Sequence, residues 1–68
     1  MYYKTVLFNG IKIIVGCVPD TPEDELQKLA SRRYHMAVAC GLRGEFLKEY
    51  LNSHLSIDAM LEKQEKSS

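Results

Sequence analysis

Apolar and polar positions alternate along the first eighteen residues, and the alternation is interrupted once. Residues 2–8 and 11–18 are both rich in β-branched and aromatic side chains, and Asn9-Gly10 lies between them. Asn-Gly between two such runs predicts a β-hairpin closed by a type I′ turn, because that turn needs φ > 0 at both central residues. A two-residue turn also sets the register. Phe8 should face Ile11, Val6 should face Ile13, Lys4 should face Val15 and Tyr2 should face Cys17. These eight residues share one nearly apolar face, which is expected to lie on helices. Tyr3, Thr5, Leu7, Lys12, Ile14 and Gly16 form the other, mixed face.

The period then changes. Pro19-Asp20-Thr21-Pro22 ends the strand and opens a helix, with Thr21 as the expected N-cap, Pro22 at the first helical position and Asp24 as a capping-box acid. The helix is expected to run to about Cys40, stopped by Gly41. Leu26, Leu29, Ala30, Met36, Ala37 and Cys40 make its apolar stripe; Arg33 interrupts the stripe, and Tyr34 and Val38 widen it. A second helix is expected over residues 45–54, with Phe46, Leu47, Tyr50 and Leu51 inward. Ser56 can cap a short third segment carrying Ile57, Met60 and Leu61. The fold class that follows is α+β, a single domain over residues 1–61 in the order β-β-α-α-α. The N-terminal hairpin packs against two or three helices, and residues 62–68 form a polar, frayed tail.

Length sharpens this picture. A 68-residue domain has a small core, one that rarely supplies more than about 3–5 kcal/mol. A staple or a partner subunit is therefore expected. Nine basic residues balance nine acidic ones, which removes bulk attraction to nucleic acid or anionic membrane while leaving room for a local basic patch. No apolar stretch approaches the ~20 residues that span a bilayer, and the N-terminus lacks the apolar block of a signal peptide. A cytoplasmic location without membrane association is expected, and with it free, buried thiols at Cys17 and Cys40.

Little in the chain carries chemistry. Ser53 and His54 are adjacent and point about 100° apart on a helix, so they do not face each other. His54 and Asp58 could pair four residues apart, but the bland alternative is a helix start beside a core-edge histidine. Cys17, His35, Cys40 and His54 have no metal-ligand spacing. Gly41-Leu-Arg-Gly44 follows a helix, whereas phosphate-cradling loops follow a strand. No catalytic residue, cofactor or metal ligand is assigned, and the chain reads as a non-enzyme.

Two resemblances are worth weighing. With Ala37 and Gly41 four positions apart, and Met36, Cys40, Leu42, Leu47 and Tyr50 as apolar positions, residues 33–52 resemble the helix-turn-helix of bacterial and phage repressors. Alanine permits a close helix crossing there and glycine the tight turn. This resemblance implies a DNA-binding regulator reading DNA with Arg43, Lys48 and Asn52. Val38 and Ala39 stand where polar residues are usual, and Glu45 and Glu49 would repel phosphates. Secondly, His54-Leu-Ser-Ile-Asp58 resembles the end of the Ser-Gln-Glu-Leu-Asp motif of small aspartyl-phosphate phosphatases from spore formers. Its leading Ser and Gln are missing, and that family has no hairpin to match residues 1–18.

The main expectation is association with protein. A lone hairpin has two open edges, and open edges are templates for pairing. Tyr3, Leu7 and Ile14 on the mixed face, and Arg33, Tyr34 and Val38 on the first helix, are the candidate interface residues. Arg33 could either bind an anionic group of a partner or lay its stem on the stripe with its head in water. The expected function is that of a small regulatory or adaptor protein, a homo-oligomer and most simply a two-fold dimer. In size and style it is analogous to the accessory proteins of phages and mobile elements. The DNA-binding regulator is the alternative.

Overall fold

The computed structural model describes residues 2–67. It has the expected α+β order, with β1 (Tyr2–Phe8), β2 (Ile11–Cys17), α1 (Glu23–Ala39), α2 (Gly44–Leu51) and α3 (Ile57–Lys66). The strands pair antiparallel in the predicted register, from Phe8 opposite Ile11 to Tyr2 opposite Cys17. Asn9 and Gly10 take φ of 51° and 75°, as a type I′ turn requires. The helix-facing side of the hairpin is buried at its centre, at Val6, Ile13 and Val15, and thins towards the ends, where Tyr2 and Lys4 are exposed.

The start of α1 differs from expectation. Thr21 does not cap the helix; its hydroxyl donates to the Val18 carbonyl at 2.7 Å and accepts from the Val18 amide at 3.2 Å. The threonine thus closes the loop after β2. Pro22 becomes the N-cap residue, with no side-chain cap from Asp24 or any other residue. The far end follows the glycine rule closely. Leu42 N–H donates to the Ala37 carbonyl at 3.1 Å and Gly41 N–H to the Val38 carbonyl at 3.0 Å. This is the paired arrangement of a Schellman motif, and Gly41 at φ 103° supplies its left-handed residue. Leu42, two residues past the C-cap, turns back into the core.

Only part of the predicted α1 stripe is inside. Leu26, Ala30 and Ala37 are buried and Leu29 is half-buried, but Met36 and Cys40 are exposed. The hairpin is narrow, so it covers the centre of the stripe and leaves its flank open. Consequently Cys40 is an exposed free thiol rather than a buried one, and Cys17 is a half-buried one.

α2 ends at Leu51, three residues short of the expected His54. α3 begins as predicted, with the Ser56 hydroxyl accepting from the Ala59 amide at 3.2 Å. It continues to Lys66, so residues 62–66 of the segment expected to fray are helical, while Ser68 lies outside the described residues. Gln64 explains part of this extension. Its amide nitrogen donates to the Gly41 carbonyl at 2.9 Å and its oxygen accepts from the Arg43 amide at 3.0 Å, clasping the α1–α2 turn. Met60, Leu51, Leu47 and Leu42 join the hairpin and α1 residues in one core.

Candidate protein-binding surface

The candidate surface is organised by Arg33. Its guanidinium leaves the α1 stripe and points at backbone oxygens, so neither an outward-projecting head nor a head in open water describes it. One terminal nitrogen donates to the carbonyls of Ile14 and, at 3.2 Å, Leu51. The other donates to those of Tyr50 and Ser53, both at 3.0 Å. The guanidinium carbon also lies 4.6 Å from the centre of the Tyr50 ring. Three of these four carbonyls belong to the end of α2 and the residues just beyond it, where helix carbonyls lack partners and the dipole is negative. A cation is favoured there. Arg33 therefore caps α2 from another helix, which accounts for its end at Leu51.

The fourth carbonyl matters for the sheet. The turn closes on the Phe8–Ile11 pair, and hydrogen-bonded pairs then alternate along the hairpin. Tyr3, Thr5 and Leu7 on β1, and Lys12, Ile14 and Gly16 on β2, therefore turn their backbone groups away from the other strand. Arg33 occupies the Ile14 carbonyl, and α2 packs along β2, so the outer edge of β2 is partly closed. The outer edge of β1 is open. Among the described residues, the one side-chain hydrogen bond to it comes from Gln27, whose amide reaches the Leu7 carbonyl at 3.4 Å.

The hairpin face away from α1 is open as well. Leu7 is 64% exposed and Tyr3 45% exposed, while Ile14 is half-buried. Tyr3 makes an edge-on contact with His54, with ring centres 4.5 Å apart. The histidine lies beyond α2, in the loop before α3, and Ser53 beside it bonds to the Tyr50 carbonyl and the Leu55 amide rather than to His54. Tyr34 and Val38 lie elsewhere on α1. Tyr34 packs with Phe8 and His35 in an aromatic cluster, and Val38 is 45% exposed.

Three of the interface candidates, Tyr3, Ile14 and Arg33, meet in one groove of about 480 Å³, completed by Val15, Gly16, Leu29, Arg32, Met36, Tyr50 and His54. Sequence reasoning missed Arg32, Met36 and His54 as lining residues. A signal for the groove's charge was present in the order of residues. No acid occurs before Asp20 or between Glu25 and Glu45, so the hairpin and most of α1 are basic although the chain is neutral.

The DNA-reading candidates fall on two different grooves. Lys48 and Asn52 adjoin Lys12 beside the hairpin turn. Arg43 sits at the start of α2, next to Glu45, where its backbone amide is held by Gln64. Between them on α2, Glu49 is paired with Lys63 at 2.7 Å. Among the described residues, no group of three or more His, Cys, Asp or Glu is placed to hold a metal, and no helix is long and apolar enough to cross a membrane. No protein-family model matches the chain, and neither a curated protein nor a solved structure matches it.

Proposed function

We propose that the protein is a small, non-enzymatic regulatory or adaptor protein that works by protein–protein binding, and that it pairs with itself through β1. The observation that carries this reading is the contrast between the two sheet edges. β2 is occupied by Arg33 and lies beside α2, while β1 exposes its backbone groups next to exposed Tyr3 and Leu7. An open edge of seven residues beside apolar side chains is a template for another strand.

A second copy fits this edge in one register. Two β1 strands related by a two-fold axis at Thr5 pair all seven residues, with Thr5 opposite Thr5 and Tyr3 opposite the partner's Leu7. The aromatic–aliphatic pair then covers the two most exposed apolar positions of the open face. Moving the axis to Lys4 would oppose two lysines directly, which is unfavourable. The result is a four-stranded sheet, a more stable unit than an isolated hairpin.

Light scattering after size exclusion, over a dilution series, tests this. The native chain should give a dimer mass. Thr5→Pro removes an amide that points away from β2 and leaves the hairpin ladder intact, so it should give a folded monomer. Leu7→Lys should do the same without touching the backbone. A native monomer at high concentration, or dimers in both variants, would sink the proposal. The alternative is a DNA-binding regulator acting through Arg43, Lys48 and Asn52. It requires salt-sensitive retention on duplex DNA, which the protein-binding reading does not.

A further inference from the structure

The groove between the Tyr3 end of the hairpin, α1 and the end of α2 has a composition that suits a particular ligand. Its floor is aliphatic, made of Ile14, Val15, Leu29 and Met36, and its walls include the rings of Tyr3, Tyr50 and His54. At about 480 Å³ it lies in the range of small-molecule sites, about 300–1,000 Å³. Not one of its ten lining residues is acidic, and two are arginines.

The two arginines are in different states. Arg33 is committed to four carbonyls. Arg32 is exposed at the rim and makes no hydrogen bond or ion pair among the described residues. The groove therefore offers one free planar guanidinium beside an apolar floor. A guanidinium fork matches a carboxylate bidentately. The single free cation favours a singly charged group over a phosphate dianion, and an aliphatic floor favours an alkyl or aryl body over a stacked nucleobase.

We propose that this groove binds a small amphipathic carboxylate, with the apolar body on Ile14, Leu29 and Met36 and the –COO⁻ on Arg32. The proposal does not rest on self-association through β1. Amide shifts of the isotope-labelled full chain, titrated with octanoate, octyl phosphate and octyltrimethylammonium below their micellar ranges, provide the test. Octanoate should give saturable shifts at Ile14, Gly16, Leu29, Met36 and His54, and Arg32→Gln should weaken it at least tenfold while leaving the rest of the spectrum in place. The ammonium compound should give none. Equal responses to the anion and the cation would reduce the groove to a sticky apolar surface and overturn the proposal. Tighter binding of octyl phosphate, or an Arg32→Gln variant that binds octanoate unchanged, would overturn it too. So would binding of a capped Asp-Leu-Phe peptide with no response to octanoate, which would assign the groove to a protein partner.

Discussion

Arg33 joins α1 to the edge of β2 and to the end of α2, and its removal should be the most damaging change at a residue that is not fully buried. Arg33→Ala removes a donor from four carbonyls, of which that of Tyr50 keeps its bonds from Ser53, and uncovers one face of Tyr50. A hydrogen bond to a charged group contributes roughly 1.5–3 kcal/mol, and a cation on an aromatic face adds about 0.5–1 kcal/mol at a partly exposed site. Adding these would exceed the whole stability of a domain this small, about 3–5 kcal/mol. They do not add, because one guanidinium makes all of them and the Tyr50 carbonyl keeps its bonds from Ser53. A loss of about 2–4 kcal/mol is therefore expected. At about 4–8 °C per kcal/mol for a domain of this size, Tm should fall by about 8–32 °C. Arg33→Met keeps the stem and should lose nearly as much. Arg33→Lys keeps the charge but not the fork and should lie between these two variants and the native chain. Urea unfolding followed by far-UV circular dichroism measures all three, at one fixed protein concentration because association would add to stability. If Arg33→Ala and Arg33→Met both unfold within about 0.5 kcal/mol of the native chain, a shift typical of neutral surface changes, the capping role is refuted.

Three further outcomes follow from single residues. Gly41→Ala should cost at least about 1 kcal/mol in the same urea assay, although the added methyl would meet only Leu61 at 3.9 Å; the cost comes from φ 103°, and an unchanged midpoint would remove that reason. Ser56→Ala should cost about 1 kcal/mol through loss of the α3 cap, visible as faster amide exchange across the first turn of α3, and equal exchange rates would show the cap to be idle. Cys40 should react with a thiol reagent faster than Cys17, since one is exposed and the other half-buried; two equal rates would contradict the packing of the hairpin on α1.

Much of the fold could be read from local chemistry. Asn9-Gly10 dictated the turn and through it every strand pair, because a two-residue loop leaves no freedom of register. Ser56 and Gly41 marked helix ends for equally local reasons. What could not be read were contacts made across the fold. Thr21 has the right residue type for an N-cap, yet the Val18 carbonyl competes for its hydroxyl. The polar sequence after Leu61 gives no hint that Gln64 meets the Gly41–Arg43 turn from α3. Arg33 was visible as an anomaly in an apolar stripe, but its targets are backbone carbonyls, which carry no sequence signature. The same limit applies to the candidate surface. Tyr3, Leu7 and Ile14 could be placed on one face by alternation, whereas the difference between the two sheet edges depends on Arg33 and α2.

We propose that β1 is the edge through which copies of this protein pair, with Thr5 on the two-fold axis. The most direct test is an isotope-filtered nuclear Overhauser experiment on a mixture of ¹³C-labelled and unlabelled chains, which detects only contacts between copies. Pairing through β1 should give cross-peaks between the Tyr3 ring of one copy and the Leu7 methyls of the other, together with a cross-copy signal at Thr5. Intermolecular peaks from other residues with none at these three, or no intermolecular peaks at concentrations where two chains should associate, would contradict it.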